Sequence, residues 1–88
     1  MKIEFTPVAW AHLQEWLGDD RKTFDRLLRL IEETRREPRG GLGKPERLKH
    51  LSDETWSKRI TPRHRMVYEI RDDVITFTQL RGHYWFDG

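Results

Sequence analysis

The sequence predicts an α+β fold with the element order βααββββ, in which two N-terminal helices pack on a twisted antiparallel sheet. Apolar residues recur at helical spacing in the first half of the chain and at a spacing of two in the second half. The halves are separated by PRGGLGKP, whose glycines and prolines break regular structure. The 88 residues, of which 35% are hydrophobic, are expected to form one domain that spans residues 1–88.

The chain is expected to begin with a short strand and a helix. KIEF, residues 2–5, is the strand candidate, and the pair Thr6-Pro7 that follows it is a typical helix start. The first helix is predicted over about residues 7–17, because Gly18 then closes the helical pattern. Its predicted apolar stripe consists of Trp10, Leu13 and Leu17.

A second, longer helix is predicted next. Asp19 or Asp20 can cap its first turn, and it is expected to end near Glu37, before Pro38. Its predicted apolar stripe consists of Phe24, Leu27, Leu28 and Ile31.

The second half of the chain predicts an antiparallel sheet. The four strand candidates are ERLKHL (46–51), TWSKRIT (55–61), HRMVYEIR (64–71) and VITFTQLR (74–81). The tightest turn between them is Asp72-Asp73. Alternation predicts one core face, with Met66, Tyr68 and Ile70, and one polar face on which Arg59 and Arg65 both lie.

Composition excludes several classes of function. The chain has no cysteine, and it has no apolar run of the ~20 residues that a membrane span needs, so a cytoplasmic protein is expected.

Residues 39–65 carry eight Lys/Arg and three acidic residues, a local net charge of +5. This excess fits a polyanionic partner, although solvated surface charge is the simpler explanation.

Common nucleotide, metal and hydrolase motifs are missing from the sequence. A Walker loop would need glycine where Pro38 stands and a hydroxyl residue where Pro45 stands. The four histidines are scattered and no metal-ligand spacing occurs, so no metal and no cofactor are expected. The two serines lie outside any nucleophile elbow.

The remaining chemical groups suit RNA cleavage, in which the substrate supplies its own 2′-hydroxyl nucleophile. The reaction needs a base, cations for the phosphorane charge and an acid for the leaving 5′-oxygen. Residues of these types are Glu46, Lys49, Arg59, Arg65 and His83, with Tyr84 or Trp85 as a stacking platform for a base. All of these are also ordinary surface residues, so composition alone leaves the choice open.

The runs TRREPRGGLGKPERLKH, WSKRITPRHRMVYEI and RGHY resemble the YoeB toxins of the RelE/ParE superfamily over almost the whole chain. The resemblance implies a microbial-RNase-like fold and a ribosome-dependent endoribonuclease that inhibits translation by cutting mRNA in the A site of the 70S ribosome. It also implies a YefM-type antitoxin and allows a homodimer. By motif, Glu46 corresponds to the general base, Arg65 to the phosphate-stabilising arginine and His83 to the general acid. The accessory positions are Lys49, Arg59 and Tyr84.

Two departures from the family pattern stand out. The chain continues beyond His83-Tyr84 with Trp85 to Gly88. The two aromatic residues of this segment are expected either to stack on an RNA base or to pack against the protein itself. Lys58 stands where an arginine is common, which keeps the charge but loses two-donor phosphate geometry. Two rival functions remain: a ParE-like poison that binds DNA gyrase without cutting RNA, and a basic module that binds RNA passively.

Overall fold

The structure is a computed structural model that describes residues 1–82. Its elements follow the predicted order: β1 (Lys2–Phe5), α1 (Pro7–Asp19), α2 (Arg21–Arg36), β2 (Glu46–Arg47), β3 (Thr55–Arg59), β4 (Arg65–Arg71) and β5 (Val74–Gln79). The α+β arrangement predicted from the sequence is confirmed. Neither α1 nor α2 is long and apolar enough to cross a membrane.

The five strands form one sheet in the order β1-β5-β4-β3-β2. Strands β2 to β5 pair antiparallel as expected, whereas β1 pairs with β5 in parallel, so the sheet is mixed. A period of two identifies a strand but carries no information about its partner. The direction of β1 depends on the path of the two helices that follow it.

Both helices begin at side-chain caps. The hydroxyl of Thr6 accepts a hydrogen bond from the backbone N–H of Ala9 at 3.2 Å. The carboxylate of Asp20 accepts one from the N–H of Thr23 at 3.1 Å and a second from its hydroxyl at 2.8 Å. These hydrogen bonds hold the pKa of Asp20 below its usual value. Each cap satisfies backbone donors that have no partner within the helix.

The helices bury different residues from those that simple spacing predicts. Trp10, Leu17 and Leu28 were expected in the core but are 50%, 48% and 42% exposed. The buried residues of the helices are Ala9, Leu13 and Trp16 in α1, and Thr23, Leu27, Leu30, Ile31 and Thr34 in α2. Because apolar residues are available on two sides of each helix, packing against the sheet decides which side is buried.

The helices pack on one face of the sheet, and we call the other the open face because neither helix of the described residues 1–82 covers it. Met66, Tyr68 and Ile70 of β4 are buried in the core together with Ile75 and Phe77 of β5, as alternation predicted. Residues on the opposite side of β3 and β4 line the open face, and the candidate site lies there.

Candidate active site on the open face of the sheet

Pairing of β2, β3 and β4 places a carboxylate, a serine and a guanidinium next to one another. Glu46 of β2 lies opposite Ser57 of β3, and Ser57 lies opposite Val67 of β4. Arg65 is two residues before Val67, so its side chain reaches Ser57 diagonally on the same face. The structure therefore brings together two of the predicted site residues, Glu46 and Arg65, around a serine.

The guanidinium of Arg65 is held in a fixed orientation. Its Nε and Nη2 donate hydrogen bonds to the Oγ of Ser57 at 3.2 Å and 2.9 Å. Its Nη2 also lies 3.6 Å from the Oε1 of Glu46. The side chain of Arg65 is 17% exposed and that of Glu46 is 60% exposed. A positioned cation thus stands beside an accessible carboxylate, which is an arrangement suited to binding a phosphate next to a base.

Ser57 is the contributor that reasoning from the sequence did not identify. It lies outside any nucleophile elbow in the sequence, and its side chain is fully buried beneath the arginine. Its position opposite Glu46 depends on the register of β2 against β3. The signal available in the sequence was its placement on the polar side of β3 with Arg59.

The loop before β2 is fixed on the edge of β3. The N–H of Arg59 donates to the carbonyl of Gly43 at 2.6 Å. Gly43 has φ +86°, and a Cβ there would lie 2.9 Å from the Cβ of Lys58. Since a larger residue fits neither the backbone nor the space, glycine is needed at this point. This close approach fixes the loop against β3 and thereby the point at which Glu46 joins the sheet.

Lys58 lies on the helix side of the sheet and does not face the site. Its side chain is fully buried, and its Nζ lies 3.1 Å from the Oε1 of Glu33 and 3.1 Å from the carbonyl of Glu37. The expectation that Lys58 replaces a phosphate-binding arginine is therefore wrong. Because Lys58 lies between Ser57 and Arg59 in the chain, alternation directs it to the opposite face.

A second buried contact ties the start of the loop to the core. The hydroxyl of Tyr68 donates to the carbonyl of Pro38 at 2.5 Å. Burial raises the pKa of this phenol, and the negative charge of Glu33 raises it further, so Tyr68 remains a donor. Together with Lys58, it anchors the end of α2 and the loop that leads to Glu46.

The other predicted site residues are less closely connected to Arg65. Lys49 is exposed in a turn, because β2 ends at Arg47 and the rest of the predicted strand ERLKHL is not extended. Arg59 is the cross-strand neighbour of Arg65 and is exposed. His83, Tyr84 and the segment from Trp85 to Gly88 lie outside the described residues. Within residues 1–82, no group of three or more His, Asp or Glu side chains could hold a metal ion.

Comparison with known proteins identifies relatives over nearly the full chain. A family model described as "YoeB-like toxin of bacterial type II toxin-antitoxin system" matches residues 5–84. Toxin RelK of Mycobacterium tuberculosis is 45% identical over 82 residues, which cover 93% of this chain and 96% of RelK. Toxin YoeB of Escherichia coli K12 is 39% identical over 84 residues, covering 96% and 100% of the two chains.

Solved structures give the same picture. The YoeB/ParE toxin from Agrobacterium tumefaciens has a TM-score of 0.89 at 36% identity, covering 96% of this chain and 100% of that one. A YoeB dimer from Staphylococcus aureus has a TM-score of 0.85 at 30% identity, covering 96% and 98%. The toxin in a heterotetrameric YoeB-YefM complex from the same organism has a TM-score of 0.82 at 31% identity, with the same coverage.

Proposed function

Because the chain belongs to the YoeB-like toxin family of bacterial type II toxin-antitoxin systems, we propose that it is a ribosome-dependent endoribonuclease. In this proposal it cuts mRNA in the A site of the 70S ribosome and so inhibits translation. The observation that carries the proposal is the Arg65 guanidinium, oriented by Ser57 at 2.9 Å and lying 3.6 Å from the exposed Glu46. A cation and a carboxylate at this separation can contact one phosphate and its neighbouring 2′-hydroxyl together.

The proposed reaction is an internal transfer of the phosphate. Glu46 accepts the proton of the 2′-hydroxyl, and the resulting oxygen attacks the adjacent phosphorus. Arg65 stabilises the extra negative charge of the phosphorane. His83 donates a proton to the departing 5′-oxygen, which leaves one 2′,3′-cyclic phosphate end and one 5′-hydroxyl end. The substrate provides the nucleophile, so no metal-activated water is required.

The role of His83 is supported by the backbone just before it. The carbonyl of Gly82 accepts a hydrogen bond from the N–H of Arg65 at 2.8 Å. Gly82, the residue before His83, therefore lies beside the start of β4, which carries Arg65. Tyr84, the next residue but one, is proposed to stack on a base of the mRNA.

The ribosome is expected to place the substrate. Lys49, Arg59 and Arg65 are the proposed phosphate contacts, and three such contacts give a slope of log affinity against log salt of only about −2. Free RNA is thus expected to bind weakly at physiological salt. Alignment of the mRNA on the ribosome then supplies the positioning that the small site lacks.

Control by a partner protein follows from toxicity. Solved structures of the Staphylococcus aureus relative include complexes of YoeB with YefM and a YoeB dimer. We accordingly propose a YefM-type antitoxin for this chain, with a disordered tail that folds on the toxin surface. A homodimer and a cytoplasmic location belong to the same proposal.

The test is a translation reaction programmed with one mRNA and read by primer extension. Wild type should give a cut that depends on ribosomes, and Glu46→Ala and His83→Ala should each slow it by about 10² to 10⁴-fold. Glu69→Ala is the matched control, because Glu69 is a second carboxylate paired with an arginine, Arg71, at 3.2 Å. The Glu69→Ala variant should cut the mRNA at the wild-type rate. Binding of RNA or of DNA gyrase without a cut would favour the rival functions instead.

A further inference from the structure

We propose that His64 is a positioning residue for the cleavage reaction: it fixes the backbone at Gly82 and thereby the general acid that follows in the chain. The proposal rests on the proposed function, because it concerns the delivery of His83 to the leaving group. His64 lies in the turn before β4 and takes no part in the Glu46-Arg65 pair. The structure assigns it a specific hydrogen bond to the segment Leu80–Gly82, which we call the exit segment.

The exit segment is held on one side by α1. The indole N–H of Trp16 donates to the carbonyl of Leu80 at 2.9 Å. The N–H of Leu80 donates to the Nδ1 of His12 at 3.1 Å. Arg81 lies over the Trp16 ring at 4.4 Å. These contacts fix the chain where β5 ends and the exit segment begins.

The other side of the exit segment is held by two consecutive residues at the start of β4. The N–H of Gly82 donates to the Nδ1 of His64 at 2.8 Å, and its carbonyl accepts from the N–H of Arg65 at 2.8 Å. Both polar groups of Gly82 are thus bonded to His64 and Arg65. The residue that immediately precedes the proposed acid is attached to the residue that carries the phosphate-binding guanidinium.

His64 is itself well placed to act as a fixed acceptor. Its N–H donates to the hydroxyl of Thr61 at 3.1 Å, and its carbonyl accepts from the N–H of Ile60 at 2.9 Å. The rings of Trp16 and His64 pack nearly perpendicular to each other, with centroids 4.9 Å apart. Because the backbone N–H of Gly82 can only donate, the Nδ1 of His64 is the acceptor of this hydrogen bond.

Placement of the acid is sensitive to this contact. Proton transfer requires the acid within hydrogen-bonding reach of the leaving oxygen, and a misplacement of about 1 Å can lower a rate by 10²-fold. Gly82 has φ +89°, a conformation that glycine adopts and other residues resist. Glycine permits this conformation without enforcing it, so the hydrogen bond to His64 helps to select it.

The matched pair of variants is His64→Asn and His64→Leu. Asparagine and leucine have nearly the same shape, but only asparagine places an acceptor oxygen near the position of Nδ1. Single-turnover cleavage would be measured on programmed ribosomes with two mRNAs, one normal and one with sulfur in place of the 5′-oxygen at the cut. A thiolate leaves without protonation, so the sulfur substrate does not need the acid.

The expected result is a specific loss that sulfur repairs. His64→Leu should cut the normal mRNA about 10- to 100-fold more slowly, whereas His64→Asn should stay within a few-fold of wild type. On the sulfur substrate both should approach the wild-type rate. Gly82→Ala should show the same pattern, because within residues 1–82 the nearest atom to a Cβ there is the Nε2 of Gln79, at an unstrained 3.8 Å, while the φ of +89° disfavours alanine.

Other outcomes identify which part of the account fails. If His83→Ala is repaired by sulfur but neither His64→Leu nor Gly82→Ala is, the acid is correctly assigned and the positioning role of His64 is wrong. A His64→Leu enzyme that cuts normal mRNA at the wild-type rate also overturns the inference. If wild type cuts neither substrate, the proposed function fails and the inference with it. Glu46→Ala should be slow on both.

Discussion

Arg65 is oriented before any substrate is present. Two of its nitrogens donate to Ser57, at 3.2 Å and 2.9 Å, and the serine is buried beneath it. A side chain as long as arginine loses much rotamer freedom when it binds a ligand. Because Ser57 already fixes the guanidinium, Arg65 loses less conformational entropy when it binds the phosphorane.

This arrangement predicts the effect of Arg65→Lys. Lysine keeps the charge but carries its donors on a single nitrogen, so it cannot hold Ser57 through two separate nitrogens and face a phosphate in the same geometry. Single-turnover cleavage on ribosomes should fall by about 100-fold. Arg63→Lys, the same change at an exposed neighbour, serves as the control and should have little effect. Equal rates for both variants would contradict the proposed role of the guanidinium.

Between elements, the contact that matters most for the site is the one joining α2 to β3. Lys58 is fully buried and bonds Glu33 near the end of α2. Beside it, Gly43 packs on the backbone of Arg59. The end of α2, the loop at Gly43 and the end of β3 thus meet just before Glu46 in the chain. We therefore expect this junction to determine where the Glu46 carboxylate lies.

Lys58→Met is predicted to lower the free energy of unfolding by roughly 3 kcal/mol, because it leaves the carboxylate of Glu33 without its buried partner. The double variant Lys58→Met/Glu33→Met should recover much of that loss, since it removes both charges and keeps apolar volume. Urea unfolding followed by circular dichroism measures both. A double variant less stable than Lys58→Met alone would show that the carboxylate is not penalised by losing the lysine.

The cap of α2 predicts a dependence of stability on pH. Hydrogen bonds from Thr23 lower the pKa of Asp20 in the folded protein. Its stabilising contribution is therefore fully present above the unfolded pKa of about 3.9 and is lost as pH falls through the lower folded value. Asp20→Asn keeps a capping oxygen but does not titrate. Between pH 5 and pH 2, thermal melting should show a smaller fall in Tm for Asp20→Asn than for wild type.

Particular elements show how much of the fold the sequence predicts. The caps at Thr6 and Asp20 and the strand alternation around Met66 were predicted, because they depend on local chemistry. The parallel direction of β1 and the exposure of Trp10 were not, because they depend on how distant segments pack. Placement of Arg59 and Arg65 on the polar side followed from alternation. The position of Ser57 between Arg65 and Glu46 could not be predicted from alternation, because it depends on the register of β2 against β3.

Across the whole molecule, charge is unequal along the open face. Glu4, Glu69, Arg71 and Asp72 surround a shallow concavity at the β1-β5-β4 end of the sheet. Arg59 and Arg65 lie at the other end, where the pairing of β3 with β4 places them side by side. A polyanion approaching the sheet is therefore steered toward the end that holds the Glu46-Arg65 pair.

The central claim is that this pair activates the 2′-hydroxyl of the substrate itself. The most direct measurement is cleavage of ribosome-bound mRNA that carries a single 2′-deoxy sugar at the nucleotide 5′ to the cut. The account predicts no detectable cut at that position, while the all-ribose mRNA is cut and both bind the ribosome equally. Cleavage of the deoxy mRNA at the normal rate and position would contradict it, because the nucleophile would then have to come from elsewhere.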